Sequence, residues 1–177
     1  MSMTQIAFIR KADLPTNKQI QEVIQNLGYD FKIFDDLEKQ IDEDGLECSI
    51  NGYQTYFETY LDEVNNLLAE AEAEWIKPDL TNQDTAISFV WGADFTAGAC
   101  IGLISIALID LSNALVYYME DQMKYTREML IADTPQFLAE LSKQTNRNIK
   151  PQEVVKAIQV NKQIETRFWD RLKNIFK

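Results

Sequence analysis

Few of the side chains that usually carry out catalysis occur in this chain of 177 residues. Histidine is absent, which excludes Ser-His-Asp and Cys-His catalysis and every metal site that needs an imidazole ligand. The two cysteines, Cys48 and Cys100, have no histidine base to activate them and form no CxxC motif. We therefore expect neither cysteine to be a nucleophile, and we expect Cys100, in an apolar stretch, to act as a small buried hydrophobe.

Motifs that bind phosphate or activate a serine are missing as well. The sequence contains no GxSxG, GxxxxGK[ST] or GxGxxG pattern. The nearest equivalent is WGADFTAGACIG at residues 91–102, but Asp94 would repel a phosphate and no lysine is near. We interpret Asp94 instead as the N-cap of a helix.

The acidic segment QIDEDGLE at residues 40–47 contains part of the pattern of a calcium-binding loop. In that comparison Gln40 takes the first ligand position, and Asn51 takes the twelfth, where a bidentate glutamate is normal. We interpret the segment as a solvated acidic turn and expect no metal and no cofactor. Catalysis by carboxylates, alone or with a divalent ion, is an alternative in a chain with 28 acids, but no pair is singled out. We expect the protein not to be an enzyme.

Charge is distributed unevenly along the chain, whose net charge is −11. Residues 30–74 contain 14 acidic and 2 basic side chains, whereas residues 141–177 contain 3 acidic and 9 basic ones. The negative excess opposes direct binding to nucleic acid and favours a basic protein partner. We expect the contact surface to draw on acids of the first half, namely Asp35, Asp36, Glu38, Asp42, Glu43, Asp44, Glu70, Glu72 and Glu74.

Aromatic residues alternate with polar ones just after the acidic segment. Asn51-Gly52 is a strong signal for a tight hairpin turn. Residues 53–60 then alternate as a strand with aromatic side chains on both faces. We expect one face to pack in the core and the other to be partly exposed, and exposed tyrosines beside acids are typical of protein-binding surfaces. With a strand at residues 29–34, the hairpin predicts a three-stranded antiparallel meander.

The elements around this meander follow from periodicity and capping signals. Residues 6–10 predict a first strand. A helix over residues 15–28 has a capping box at Thr16 and Gln19 and a glycine stop. Residues 61–75 predict a second helix, although the acids in its C-terminal half oppose the helix dipole.

The apolar stretch at residues 85–119 predicts a strand, a buried helix to about Leu111 and a further strand joined by a crossover. Gly98 and Gly102 give this helix a side of small residues, which we expect to lie close against the sheet. Its uncharged part, residues 95–109, is 15 residues long. A membrane span needs roughly 20 residues, so we expect a core helix and no membrane segment.

The C-terminal third predicts helices. A short helix covers residues 125–132, a second starts at Thr134-Pro135, and a long amphipathic helix covers residues 151–177. These elements predict an α+β fold, with a mixed or antiparallel sheet packed by a central buried helix and a long C-terminal helix. We expect a single domain, residues 1–177.

Three parts make up the expected domain. They are an acidic, sheet-rich part (about 1–80), the central strand-helix-strand unit (85–119) and a helical C-terminal part (125–177). Residues 1–16 have no apolar run long enough for a signal peptide. Two cysteines are too few for a disulfide framework, so we expect a cytoplasmic protein.

The order of these features resembles that of the small acidic immunity proteins that bacteria make against polymorphic or contact-dependent toxins. The resemblance lies in the helix at residues 15–28 leading into a strand, the acidic segment DDLEKQIDEDGLE, and SFVWGAD followed by ALVYYMED. It concerns layout over most of the chain and involves no catalytic motif.

The resemblance implies one-to-one neutralisation of a basic toxin, often a nuclease, with carboxylates occupying the place of nucleic-acid phosphates in the toxin's cleft. The competing interpretation is a structural or adaptor domain that self-associates, for example as a homodimer. In that case the acids serve solubility only.

Overall fold

A seven-stranded sheet forms the framework of residues 2–37 and 45–145, the part of the chain that the computed structural model describes. Every pair of neighbouring strands is antiparallel, and their spatial order is β2-β3-β4-β5-β1-β6-β7. The expected α+β class with an antiparallel sheet is confirmed. The strands are β1 Met3–Ile9, β2 Phe31–Ile33, β3 Leu46–Ile50, β4 Tyr53–Glu63, β5 Thr85–Trp91, β6 Leu115–Tyr118 and β7 Met123–Tyr125.

Helices lie on both faces of this sheet. Helices α1, α3 and α4 pack on one face, here called the inner face, together with the larger of two hydrophobic clusters. Helix α2 and a 3-10 helix pack on the opposite, outer face. The helices are α1 Asn17–Asn26, α2 Val64–Glu70, α3 Phe95–Ser112 and α4 Arg127–Thr145, with 3-10 helices at Lys11–Asp13 and Glu74–Asp79.

Helix α1 forms as its capping signals predict. The Thr16 hydroxyl accepts from the Gln19 backbone N–H at 3.3 Å, and the Gln19 side chain accepts from the Thr16 backbone N–H at 2.9 Å. This reciprocal pair satisfies two N–H groups that a helix start otherwise leaves unbonded. Ile20 and Ile24 are fully buried one turn apart, and Gly28 follows the helix at φ 93°.

The three-stranded meander β2-β3-β4 is also confirmed. Asn51 and Gly52 have φ values of 50° and 83°, so the two-residue turn places both in the left-handed region that asparagine and glycine tolerate. The turn sets the register, in which Ile50 lies opposite Tyr53. Because side chains alternate along a strand, this register places Phe57 in the core and Tyr56 outside.

The helix predicted for residues 61–75 is wrong at both ends. Its first three residues belong to β4, where Leu61 pairs with Ile87 of β5. Helix α2 is only seven residues long, and Glu72 follows it at φ 51°. Strand pairing outweighs helix propensity at the start, and acids beside the helix C-terminus oppose its dipole at the end.

Helix α3 is the buried central helix that the sequence predicts. One oxygen of Asp94 caps it by accepting from the Thr96 backbone N–H at 2.8 Å, and the other accepts from the Thr55 hydroxyl of β4. Strands β5 and β6 both pair antiparallel with β1. They are therefore parallel to each other, and α3 connects them by crossing β1. By length and composition α3 could span a membrane, but 83% of its residues are buried inside the protein, as is usual for a core helix.

The small side of α3 faces helix α4, and the expectation that it lies against the sheet is wrong. A Cβ added to Gly98 would lie 2.6 Å from Cε1 of Phe137, and one added to Gly102 would lie 3.4 Å from Oγ1 of Thr134. Phe137 packs its ring against Phe95 with a centroid distance of 6.2 Å. The absence of a side chain at Gly98 therefore allows α4 to approach α3 closely, whereas the contact at Gly102 is loose enough to accept a methyl group.

Helix α4 runs without a break through Pro135, so the predicted restart at Thr134-Pro135 is wrong. Proline cannot supply the N–H that residue 131 would otherwise bind. On either side of this gap, the Thr134 hydroxyl donates to the Leu130 carbonyl at 3.0 Å and the Gln136 amide donates to the Ala132 carbonyl at 3.4 Å. These side-chain bonds and the contact with α3 keep the helix continuous. The sequence did not predict β7, and the expected helix at residues 151–177 lies outside the described residues.

The outer face of the sheet is covered over only part of its width. Buried residues of β1, β5 and β6 pack there against α2 and the 3-10 helix Glu74–Asp79. Tyr117 of β6 fixes this layer, because its ring lies 5.5 Å from that of Trp75 and its hydroxyl donates to Asp79. No residue of β2, β3 or β4 belongs to this cluster. The described part of the chain therefore leaves the outer surfaces of these strands open.

We predict that Gly98→Ala lowers the free energy of unfolding by about 1–3 kcal/mol, because the added methyl group overpacks the contact with Phe137. That loss should outweigh a helix-propensity gain of at most about 1 kcal/mol. Gly102→Ala is the matched control, and its gain in propensity should leave stability unchanged or slightly higher. Urea unfolding of the two variants measures the difference, and equal effects would contradict this account of the α3–α4 contact.

Candidate protein-binding surface

The open part of the outer face presents large aromatic side chains to solvent. Tyr56 is 73% exposed, Phe34 49% and Tyr60 44%. Glu47 and Glu58 are exposed beside them. We call these five residues the aromatic–acidic face.

Strand register brings these five residues together. Glu47 of β3 lies directly opposite Tyr56 of β4. The backbone N–H of Phe34, one residue beyond β2, donates to the Glu47 carbonyl at 3.0 Å and so continues the pairing. Phe34, Glu47 and Tyr56 thus form a row across three strands. Opposed side chains on one face have Cβ atoms about 4.5–5.5 Å apart.

Glu58 and Tyr60 extend the surface along β4. Residues two apart on a strand point to the same face, so Tyr56, Glu58 and Tyr60 follow one another on the outer side. The Tyr60 hydroxyl donates to Oε2 of Glu58 at 2.6 Å. This bond to a carboxylate raises the pKa of Tyr60 above its ordinary value of 10.0, with smaller contributions from desolvation and from the charge of Glu58.

The carboxylates of Glu47 and Glu58 form no ion pair with another described residue. Within the described residues, no lysine or arginine lies within 4.0 Å of either carboxylate. Acids elsewhere do have such partners, for example Asp110, which accepts two bonds from Arg127 at 2.6 and 2.9 Å. Lys32 of β2 is exposed on the same side of the sheet, two residues before Phe34, but it does not lie within 4.0 Å of either carboxylate. With two carboxylates and one lysine, the excess charge of this surface is negative.

The structure divides the acids that the sequence suggested as contacts. Asp35 and Asp36 follow Phe34 just after β2, where the side chain of Asn17 in α1 donates to the Asp35 carbonyl at 2.9 Å. Glu70, Glu72 and Glu74 are exposed on α2 and the residues after it, in the layer over β5, β1 and β6. Glu74 also lies 3.5 Å from Lys77 of the same 3-10 helix. The remaining four, Glu38, Asp42, Glu43 and Asp44, lie outside the described residues.

Glu47 and Glu58 were missing from the acids predicted as contacts, although a signal for them was present. The alternation of residues 53–60 places Tyr56, Glu58 and Tyr60 on one side of a strand. Selecting acids by their density along the chain favoured the loop and helix acids instead. The position of Glu47 opposite Tyr56 depends on the hairpin register, which density does not reveal.

The two cysteines lie in the core, away from the aromatic–acidic face. Cys48 and Cys100 are buried free thiols, and burial raises the pKa of each well above its ordinary value, so both remain protonated at neutral pH. Among the described residues, no group of three or more acids or cysteines is placed to hold a metal ion.

A cleft of about 540 Å³ lies between Lys11 and the start of α2. The carboxylate of Asp84 lines it and accepts from the Lys11 backbone N–H at 2.7 Å and from the Thr85 hydroxyl at 2.9 Å. These bonds hold the pKa of Asp84 below its ordinary value. Asp84 therefore ties the end of β1 to the start of β5.

Comparison with known proteins adds no relative to these observations. No protein-family model, no curated protein and no solved structure matches the chain.

We predict that Glu58→Gln returns the pKa of Tyr60 toward 10.0, because the carboxylate that stabilises the protonated hydroxyl is removed. The raised pKa also means that this bond contributes to stability below pH 10 and is lost as pH rises through the pKa of Tyr60. NMR titration of the labelled tyrosine ring carbons measures the pKa of Tyr60 in the unsubstituted protein and in the Glu58→Gln variant. An unchanged Tyr60 titration would contradict the assigned bond.

We predict that Tyr56→Ser changes the free energy of unfolding by at most about 1 kcal/mol, because only cross-strand contacts of an exposed ring are lost. Phe57→Ala, one residue along, should cost about 3–5 kcal/mol, since Phe57 is 3% exposed and packs 6.0 Å from the Phe89 ring. Denaturant unfolding compares the two. A large loss of stability in Tyr56→Ser would show that the ring has a structural role and would contradict its assignment to the binding surface.

Proposed function

We propose that this protein binds and inhibits a basic protein partner, in the way that a bacterial immunity protein neutralises a toxin such as a nuclease. The observation that carries the proposal is the aromatic–acidic face, where exposed rings lie beside two carboxylates that form no ion pair with another described residue. Tyrosine is enriched among the residues that dominate binding energy at interfaces. Carboxylates beside such rings suit a positively charged partner.

The charge of the chain supports inhibition by occlusion. Carboxylates on a rigid sheet can take the positions that phosphates occupy in a nuclease's basic cleft, and a net charge of −11 speeds encounter with a basic protein. Because β3 and β4 are joined by a two-residue turn, Glu47 and Tyr56 are held in place before binding. Such preorganisation reduces the entropy lost on association.

The reactive groups of the chain are consistent with a protein that does not catalyse a reaction. Its thiols are buried and protonated, and it has no histidine. A homodimer formed through the aromatic–acidic face is the competing function. Two copies meeting there would bring like charges together, which disfavours that arrangement.

We predict that the chain of residues 1–177 captures one basic protein in stoichiometric amount from lysate of its source cells. Cells that express the captured protein by itself should be harmed, and coexpression of the present chain should protect them. The double substitution Glu47→Lys with Glu58→Lys should weaken the complex at least about tenfold, because attractive charge pairs become repulsive. The affinity of the unsubstituted protein should also fall with rising salt. Calorimetry on the purified pair measures both effects.

A matched control reverses Glu22 and Glu128, exposed acids on α1 and α4 behind the opposite face of the sheet. It changes net charge equally and should leave affinity nearly unchanged at physiological salt. An equal loss of affinity in both variants would show that the interaction depends on net charge and not on this surface. A dimer in light scattering that dissociates only in the Glu47/Glu58 variant, without a captured basic protein, would instead support self-association.

A further inference from the structure

We infer that the aromatic–acidic face is specific for arginine side chains of the partner and discriminates against lysine. This inference rests on the proposed function and specifies the chemistry of the partner's contact residues. It depends on how rings and carboxylates are interleaved on this face. Net charge alone would attract lysine and arginine alike.

Each exposed tyrosine of β4 has a carboxylate as its neighbour on the same side of the sheet. Tyr56 has Glu47 opposite it on β3 and Glu58 two residues along its own strand. Tyr60 has Glu58 two residues before it. These spacings are about 4.5–5.5 Å between opposed Cβ atoms and about 7 Å between alternate residues of a strand.

A guanidinium group matches this arrangement. Its flat surface can stack on a tyrosine ring while its N–H groups, directed outward in the same plane, donate to a carboxylate beside the ring. An ammonium group is a compact and strongly hydrated charge that cannot make the planar contact. Two contacts for arginine against one for lysine produce the discrimination.

The Tyr60–Glu58 hydrogen bond prepares one of these positions. The hydroxyl of Tyr60 donates a hydrogen bond to Oε2 of Glu58 at 2.6 Å. This bond orients the carboxylate and leaves Oε1 to accept from a ligand. Tyr56 stays 73% exposed, and its ring is therefore accessible for stacking. A guanidinium placed on Tyr56 can reach Glu47 on one side or Glu58 on the other.

The test titrates isotope-labelled full-length protein with two blocked peptides, Gly-Arg-Gly-Arg-Gly and Gly-Lys-Gly-Lys-Gly, followed by NMR. We expect the arginine peptide to bind at least about fivefold more tightly than the lysine peptide. Its largest shifts should fall on the backbone amides of Glu47, Tyr56, Glu58 and Tyr60. Tyr56→Leu should remove most of the preference while weakening the lysine peptide little.

The control pair separates charge from geometry. Glu47→Gln with Glu58→Gln should abolish localised binding of the arginine peptide, whereas Glu22→Gln with Glu128→Gln, which changes net charge equally, should not. Equal affinities for the two peptides would overturn the inference. So would shifts spread over other acids, or a face already occupied by a second copy or by the chain's own residues 146–177.

The two proposals fail in different ways. If the peptides bind equally but the captured partner still depends on Glu47 and Glu58, only the selection of arginine is wrong. If the captured partner is indifferent to both residues, the proposed function is wrong whatever the peptides show.

Discussion

The close contact between helices α3 and α4 is the constraint on which the rest of the described structure depends. Gly98 lacks a side chain where the ring of Phe137 approaches, so the two helices can pack in one layer over the inner face. Helix α3 in turn covers the middle of the sheet and is buried on almost every side. This close-packed core fixes the sheet as a rigid support for its outer face.

The outer face has an asymmetric cover, and this asymmetry creates the candidate surface. Helix α2 and the following 3-10 helix are too short to cover seven strands, and Tyr117 holds them over β6, β1 and β5. Within the described residues, the aromatic side chains Phe34, Tyr56 and Tyr60 on the other strands remain partly exposed to water. Since Glu47 and Glu58 lie among these rings, the surface that we propose for binding presents both apolar and negative groups.

Sequence signals predicted helices and turns correctly where the interacting residues lie within a few positions of each other along the chain. The Thr16–Gln19 capping box and the Asn51-Gly52 turn involve neighbours in sequence, so no distant contact can easily override them. Predictions were wrong where a distant contact decides. Pro135 lies inside α4 because packing on α3 outweighs one missing hydrogen bond, and residues 61–63 extend β4 because β5 pairs with them.

The amino-acid sequence by itself determined the α+β class, the buried central helix, the hairpin and the excess of negative charge. Each of these depends on residue type and on spacing along the chain, which are visible without a structure. Only the tertiary structure decided which acids share a surface with exposed tyrosines. Charge density along the chain pointed to loop and helix acids, whereas the register of β3 and β4 brings Glu47 beside Tyr56 and Glu58. A surface is defined by neighbours in space, and strand pairing sets those neighbours.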